Sequence, residues 1–172
     1  MENSTAVTGN NTLNLAIGAI RHNWHQQTKA VGDYFAKFDA SQYQTTVAPG
    51  RNKAIHLLGH LIASNDDLLP LLGFGERLFP EMDAFFVPDT DWDHPGFPSL
   101  PALQNKWAQL IETLDNHIDA LEADRWMEKH TRVSETDFAI DSTRNKLNVL
   151  IGRILHMRYH LGQLNLIRFK EN

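Results

Sequence analysis

Four long segments of this chain place apolar residues at spacings of three, four and seven, and no stretch shows the strict alternation of a half-buried strand. In the first, Leu13, Ile17, Ile20, Trp24, Val31, Tyr34 and Phe38 form the row, which predicts a helix beginning near Asn11 or Thr12. The second runs from about Asn52 to Leu72, with Ile55, Leu58, Ile62 and Leu69 in one row and Leu57, Leu61 and Leu68 beside it. Pro70 ends or kinks its last turn, and Gly73 and Gly75 close it. The third starts at Ser99 as N-cap with Pro101 in the first turn, and carries Leu103, Trp107, Leu110, Leu114 and Leu121 to about Ala123. The fourth is capped by Asp141 or Ser142 and runs to about Phe169.

These segments predict an all-α fold, a single four-helix bundle over residues 11–172 behind a flexible arm of residues 1–10. Residues 73–98, rich in Gly and Pro, form a connection long enough to cross from one end of a bundle to the other. A short helical piece near Glu76–Phe79 fits inside it, and residues 124–141 form a second connection.

A chain of 172 residues is long enough for one domain with a sizeable core. Sixteen basic against 21 acidic side chains give a net charge of −5 and no basic stripe, which argues against a nucleic-acid partner. No run of about 18 apolar residues exists, so no membrane span is expected. The polar start MENSTAVTGN has no leader pattern, and the expected compartment is the cytoplasm. There is no cysteine, which excludes disulfides, thiolate ligands and a cysteine nucleophile and leaves nine histidines as the natural metal ligands.

Two pairs of those histidines stand four apart, His56 and His60 in HLLGHL and His156 and His160 in HMRYHLGQLNLIR. Four residues is about one helical turn, so the two rings of a pair reach one ion from one side. On a helical wheel, His156 and His160 lie with Val149, Gln163 and Ile167, roughly opposite Leu147, Leu150, Ile151, Ile154, Leu161 and Leu164. His56, His60 and Asp67 likewise turn away from the densest apolar rows, beside the small Gly59 and Ala63, which leave room for an ion or a close neighbour. Histidines off an apolar face are usually solvated and idle, but two such pairs on separate helices suggest a metal site. Position 157 is Met, so the H-E-x-x-H protease motif and its glutamate base are absent.

The run H-M-R-Y-H-L-G-Q-L-N-L-I-R, together with N-K-A-I-H-L-L-G-H-L-I-A-S-N-D, resembles the two signatures of the DinB-like family. The two runs cover about a fifth of the chain, and Ile55 stands where relatives often have tryptophan. The resemblance implies a bundle with a long crossover and a divalent metal held by His60, His156 and His160, zinc or nickel before iron or manganese. It leaves His56 as an alternative ligand or a support to one. Gln163 and Arg168 match the family pattern too: Gln163 is expected to hydrogen-bond near the metal, Arg168 to form an ion pair or face the helix dipole.

Trp24, with His22 and His25, is a candidate to line the cavity, although Trp24 also fits the apolar row. Asp66, Asp67, Glu81, Asp83 and the run at 89–94 are candidate bases that a solvated loop explains equally well. The 73–98 connection, with Phe85, Phe86 and Trp92, is a candidate lid. Two functions follow from the resemblance. One is a metal-dependent enzyme acting on a small molecule, by thiol-dependent S-transfer or isomerisation, with a low-molecular-weight thiol as partner, or by hydrolysis. The other is a non-catalytic helical dimer that binds a small ligand or protein, its metal optional or vestigial. A homodimer suits both, and Leu147, Ile154 and Leu161, spaced by sevens, belong either to the bundle or to a subunit contact.

Overall fold

The computed structural model describes residues 2–37, 39–86 and 96–167, with side chains from Asn11 onward. Helix α1 spans Glu2–Ala36, α2 Ala54–Asp66, α3 Leu68–Leu72, α4 Asp83–Phe86, α5 Leu100–Ala120, α6 Glu135–Ile140 and α7 Lys146–Leu164. Among the described residues there is no strand; two isolated bridges, Thr46 to Lys53 and Lys129 to Asn145, close connections.

Local chemistry accounts for most of the boundaries. The second apolar segment breaks at Asp67 because Pro70 has no N–H to offer the Asp66 carbonyl four residues back, and its ring crowds that carbonyl. The short α3 then stops at Gly73, whose φ of 77° lies in the left-handed region; the Gly73 and Phe74 amides return to the carbonyls of Pro70 and Leu69 at 3.3 and 2.8 Å. Ser99 caps α5 by accepting from the Ala102 amide.

Three boundaries differ from the sequence expectation. Helix α1 begins at Glu2, so the backbone of residues 2–10, expected as an arm, is helical. The last long helix is capped by Asn145, whose side chain accepts from Asn148 N at 2.9 Å. Asp141 instead closes a turn by accepting from the amide and hydroxyl of Thr143. That helix ends at Leu164, whose carbonyl accepts from the Tyr34 hydroxyl at 2.9 Å. Helix α6, capped by Ser134 accepting from Asp137 N, lies inside what reads as a bare connection. The helical piece expected near Glu76–Phe79 falls later, as a 3₁₀ turn at Pro80–Met82 followed by α4.

The four longest helices pack in a ring: α1 against α5 and α7, and α2 against the same two. Gln104 near the start of α5 donates to the Phe35 carbonyl at the end of α1, so these two run antiparallel. Phe74, just past α3, stacks on His117 near the end of α5 at 4.9 Å and 8°. The α2–α3 arm and α5 therefore finish at the same end of the molecule. The interior is filled by Trp24, Leu58, Leu61, Leu110, Leu114, Leu150 and Met157, all at 0% exposure. Each such buried aliphatic side chain contributes about 1.5–3 kcal/mol relative to exposure, which makes the ring a rigid mount for what its helices carry.

The inward face of α7 is rotated from the one the wheel suggests. Lys146, Leu150, Ile154, Met157, His160 and Leu164 are buried, Leu147, Ile151 and Leu161 are at the margin, and Leu155 is exposed. His160 therefore points into the protein rather than away from it. Met157, absent from that apolar row, is fully buried and draws the inward face toward His160, while Leu147, Ile151 and Leu161 move to its edge.

Candidate metal centre

Helices α2 and α7 bring His60, His156 and His160 together, with one ring nitrogen from each within 4.8 Å of the others. The Nε2 atoms of His60 and His160 each lie 3.0 Å from Nε2 of His156. On α7 this follows from the four-residue spacing; on α2 it follows from what surrounds His60. Gly59 has no side chain, and the Phe86 ring occupies its place: a Cβ built there would lie 2.2 Å from two ring carbons. Seated so, Phe86 offers its carbonyl to His60 Nδ1 at 3.2 Å.

The segment that delivers Phe86 is anchored by Asp66, which is fully buried at the end of α2. Its carboxylate accepts from the amides of Leu78 and Phe79 at 2.8 and 2.9 Å and from Arg77 Nε at 3.1 Å. Arg77 also grips Asp83 with both terminal nitrogens, which holds the Asp83 carboxyl below the usual range.

These contacts set the tautomers. A carbonyl can only accept, so His60 Nδ1 carries the hydrogen and its Nε2 presents a lone pair. His160 Nδ1 likewise donates to Gln163 Oε1 at 2.8 Å, and Gln163 Nε2 donates to the Tyr159 hydroxyl at 3.0 Å. Two lone pairs thus face His156 Nε2 at 3.0 Å, where either the hydrogen of that nitrogen or a cation among the three rings satisfies them. Imidazole nitrogens bound to a tetrahedral zinc at about 2.0–2.1 Å stand about 3.3 Å apart, so the three rings fit an ion with little movement.

Their protonation suits the same role. Burial pushes all three rings down, His156 to about 3, with its two histidine neighbours and Arg153 adding to the effect. All are neutral at pH 7, as ligation requires. Among the described residues no carboxylate joins the group.

The remaining candidates fall elsewhere. His56 is buried one turn before His60, edge-on to Phe86 at 5.1 Å and stacked on Phe97 at 6.2 Å, outside the group of three. Trp24 is a core residue at 0% exposure whose Nε1 donates to Asp115 on α5 at 2.7 Å. His25 pairs with Asp115 and Asp119, and His22 is exposed. Of the acidic candidates, Asp67 pairs with Arg132, Glu81 with Lys106, and Asp66 and Asp83 with Arg77. The run at 89–94 with Trp92, and Arg168, lie outside the described residues. A cavity of about 490 Å³ beside Leu72, Gly73, Arg125 and Lys146 contains none of the three histidines. Both of those cations are paired with Glu128.

Sequence reasoning missed the Phe86 carbonyl, the Asp66 anchor and Arg153. Only the last left a signal, its spacing of three before His156.

The sequence model of the DinB superfamily matches residues 23–164. Among solved structures, a conserved protein from Enterococcus faecalis superposes with a TM-score of 0.58 at 10% identity, covering 87% of this chain and 95% of that one; the likeness is one of fold. No curated protein matches.

Proposed function

Because the chain belongs to the DinB superfamily and sets three neutral imidazoles around one point, we propose that it is a metal-dependent enzyme acting on a small molecule. The observation that supports this most is the pair of 3.0 Å contacts that set the Nε2 atoms of His60 and His160, whose Nδ1 atoms are already committed as donors, around Nε2 of His156. The ion is zinc or nickel, which suit an all-imidazole donor set, ahead of iron or manganese. A bound divalent ion supplies a Lewis acid that lowers the pKa of a thiol or water at neutral pH. The chain contributes the rest. His60, His156 and His160 would hold the ion, and three ligands leave a position of a four-coordinate ion for substrate. The Phe86 carbonyl and Gln163 fix two of the rings and raise their basicity. Thiol-dependent transfer fits this arrangement best, and hydrolysis is its variant.

Elemental analysis of protein purified without an affinity tag tests the site, beside His60→Ala, His156→Ala and His160→Ala. The expected result is about one ion per chain, lost in each variant while the helical circular dichroism persists. No ion, or no loss on substitution, would leave the non-catalytic helical module as the reading.

The same proposal includes a homodimer. Gly152, Leu155, Tyr159 and Gly162 on the exposed face of α7, and Leu166 in the turn just after it, fall at alternating spacings of three and four, with the three large side chains 61%, 62% and 74% exposed. This row, not Leu147, Ile154 and Leu161, is the one open to a partner. Sedimentation equilibrium should give a dimer for the wild type and a monomer for Leu155→Lys combined with Leu166→Lys; a monomeric wild type refutes it.

A further inference from the structure

Besides Lys146, which pairs with Glu128, α7 carries a second cationic side chain withdrawn from water. Arg153 stands three residues before His156 and seven before His160, so it shares their side of the helix, one turn nearer the N-terminus. It is partly buried and makes no hydrogen bond or ion pair among the described residues. Of the other arginines with described side chains, Arg21, Arg77, Arg125, Arg132 and Arg144 each hold an oxygen acceptor. Arg51 and Arg158 are exposed. Arg153 alone of these is withdrawn from water without a partner.

Nor does its surroundings' chemistry supply one. The acidic group that acts on it is Asp67, already held by both terminal nitrogens of Arg132. The groups on which its own charge acts are the rings of His60 and His156, both pushed down by it. A guanidinium stays protonated at any ordinary pH and offers a planar fork of donors that matches a carboxylate. Three neutral ligands would also leave the charge of a divalent ion uncompensated, and Arg153 adds a further positive charge one turn away.

We propose that Arg153 is the recognition residue for the anionic group, such as a carboxylate, of a small molecule whose other end meets the three imidazoles. This rests on the metal-dependent reading above and specifies its substrate class. One helical turn is roughly 5 Å, so a reacting atom and a carboxylate separated by a few bonds span the two positions.

The test uses two probes that differ only in charge, 3-mercaptopropionate and 3-mercaptopropanamide. They are titrated into cobalt-loaded protein by the visible absorption of the metal, and into metal-free protein by calorimetry. The charged probe is expected to bind the loaded wild type at least tenfold more tightly than the amide. Arg153→Gln should abolish that advantage with cobalt content unchanged, and Arg153→Lys should restore part of it. Equal binding of the two probes to loaded wild type, or an advantage that survives in Arg153→Gln, overturns the assignment while leaving the metal site intact. Failure to take up cobalt overturns the metal reading instead. The metal-free arm then decides on Arg153: carboxylate binding lost in Arg153→Gln sustains it, and no binding refutes it.

Discussion

Substituting Gly59 by alanine should be harmful although the residue lies inside a helix, where alanine is intrinsically better by about 0.8–1.0 kcal/mol. The added Cβ would stand 2.2 Å from two carbons of the Phe86 ring, against roughly 3.5–4.0 Å for an ordinary carbon contact. The ring is 2% exposed and cannot move by that much without leaving its seat. Overpacking of this kind typically costs about 1–3 kcal/mol, and full expulsion of a phenylalanine about 1.5–3 kcal/mol. Less the helix gain, the net loss is about 1–2 kcal/mol, or roughly 2–8 °C in Tm for a domain of this size. Because the same residue presents its carbonyl to His60, metal affinity should fall about 10–100-fold as that ring loses its orientation. Thermal unfolding and metal titration measure the two effects. Gly18→Ala, with nothing within 4 Å of its Cβ, is the control and should stabilise. In a Phe86→Ala background the Gly59→Ala penalty should vanish. A penalty of equal size in that background, or none in the wild type, would refute the steric account.

Three other outcomes follow. Buried histidines make stability pH-dependent: His56 is pushed down to about 4 and His156 to about 3, both chiefly by burial, while the unfolded chain takes up protons near 6.5. The folded state therefore keeps their full contribution above pH 6.5 and loses it progressively as pH falls from there to the folded values of about 4 and 3; for His56 alone the loss is on the order of 3 kcal/mol. Denaturant unfolding of metal-free protein from pH 7.5 to 4 should show this decline, and a flat profile counts against it. Asp66→Asn cannot replace the charge that meets Arg77 and two amides, and should cost about 3 kcal/mol by urea unfolding with weaker metal binding; an unchanged midpoint contradicts the anchoring role. Gln163→Leu frees His160 Nδ1 and should weaken metal binding about 10–100-fold with little change in Tm, whereas unaltered affinity would leave Gln163 no part in orienting that ring.

What was legible in the sequence is what is local in the chain. Three of the helix signals worked because each depends on a few neighbouring residues: Ser99 with the Ala102 amide, Gly73 behind α3, and Pro70 acting on the carbonyl of Asp66. The cap of α7 was misplaced because Asp141, Ser142 and Asn145 are all competent capping residues, and only the paired backbone of Lys129 and Asn145 shows which one closes the helix. The four-residue spacing of His156 and His160 was readable for the same reason. Their meeting with His60 was not, since it depends on α2 and α7 packing side by side.

The supports of the site lie furthest from the sequence's reach. No pattern connects Gly59 to Phe86, 27 residues away by number, because the link is a space shaped for a ring rather than a repeated residue type. Gly59 and Ala63 were readable as room for an ion or a close neighbour, and at Gly59 the occupant is a neighbour, the Phe86 ring. This division has a physical basis. Ligands on one helix are constrained by its pitch and leave a spacing, whereas the groups that orient them are free to come from any backbone carbonyl or amide side chain nearby. Arg153 falls between the cases. Its spacing to His156 and His160 is helical and visible, but its meaning comes from burial without a partner, which only the packed structure exposes. Four candidate acidic side chains are engaged elsewhere, Asp66 and Asp83 by Arg77, Asp67 by Arg132, and Glu81 by Lys106, so the partner proposed for the Arg153 guanidinium is an anion from outside the chain.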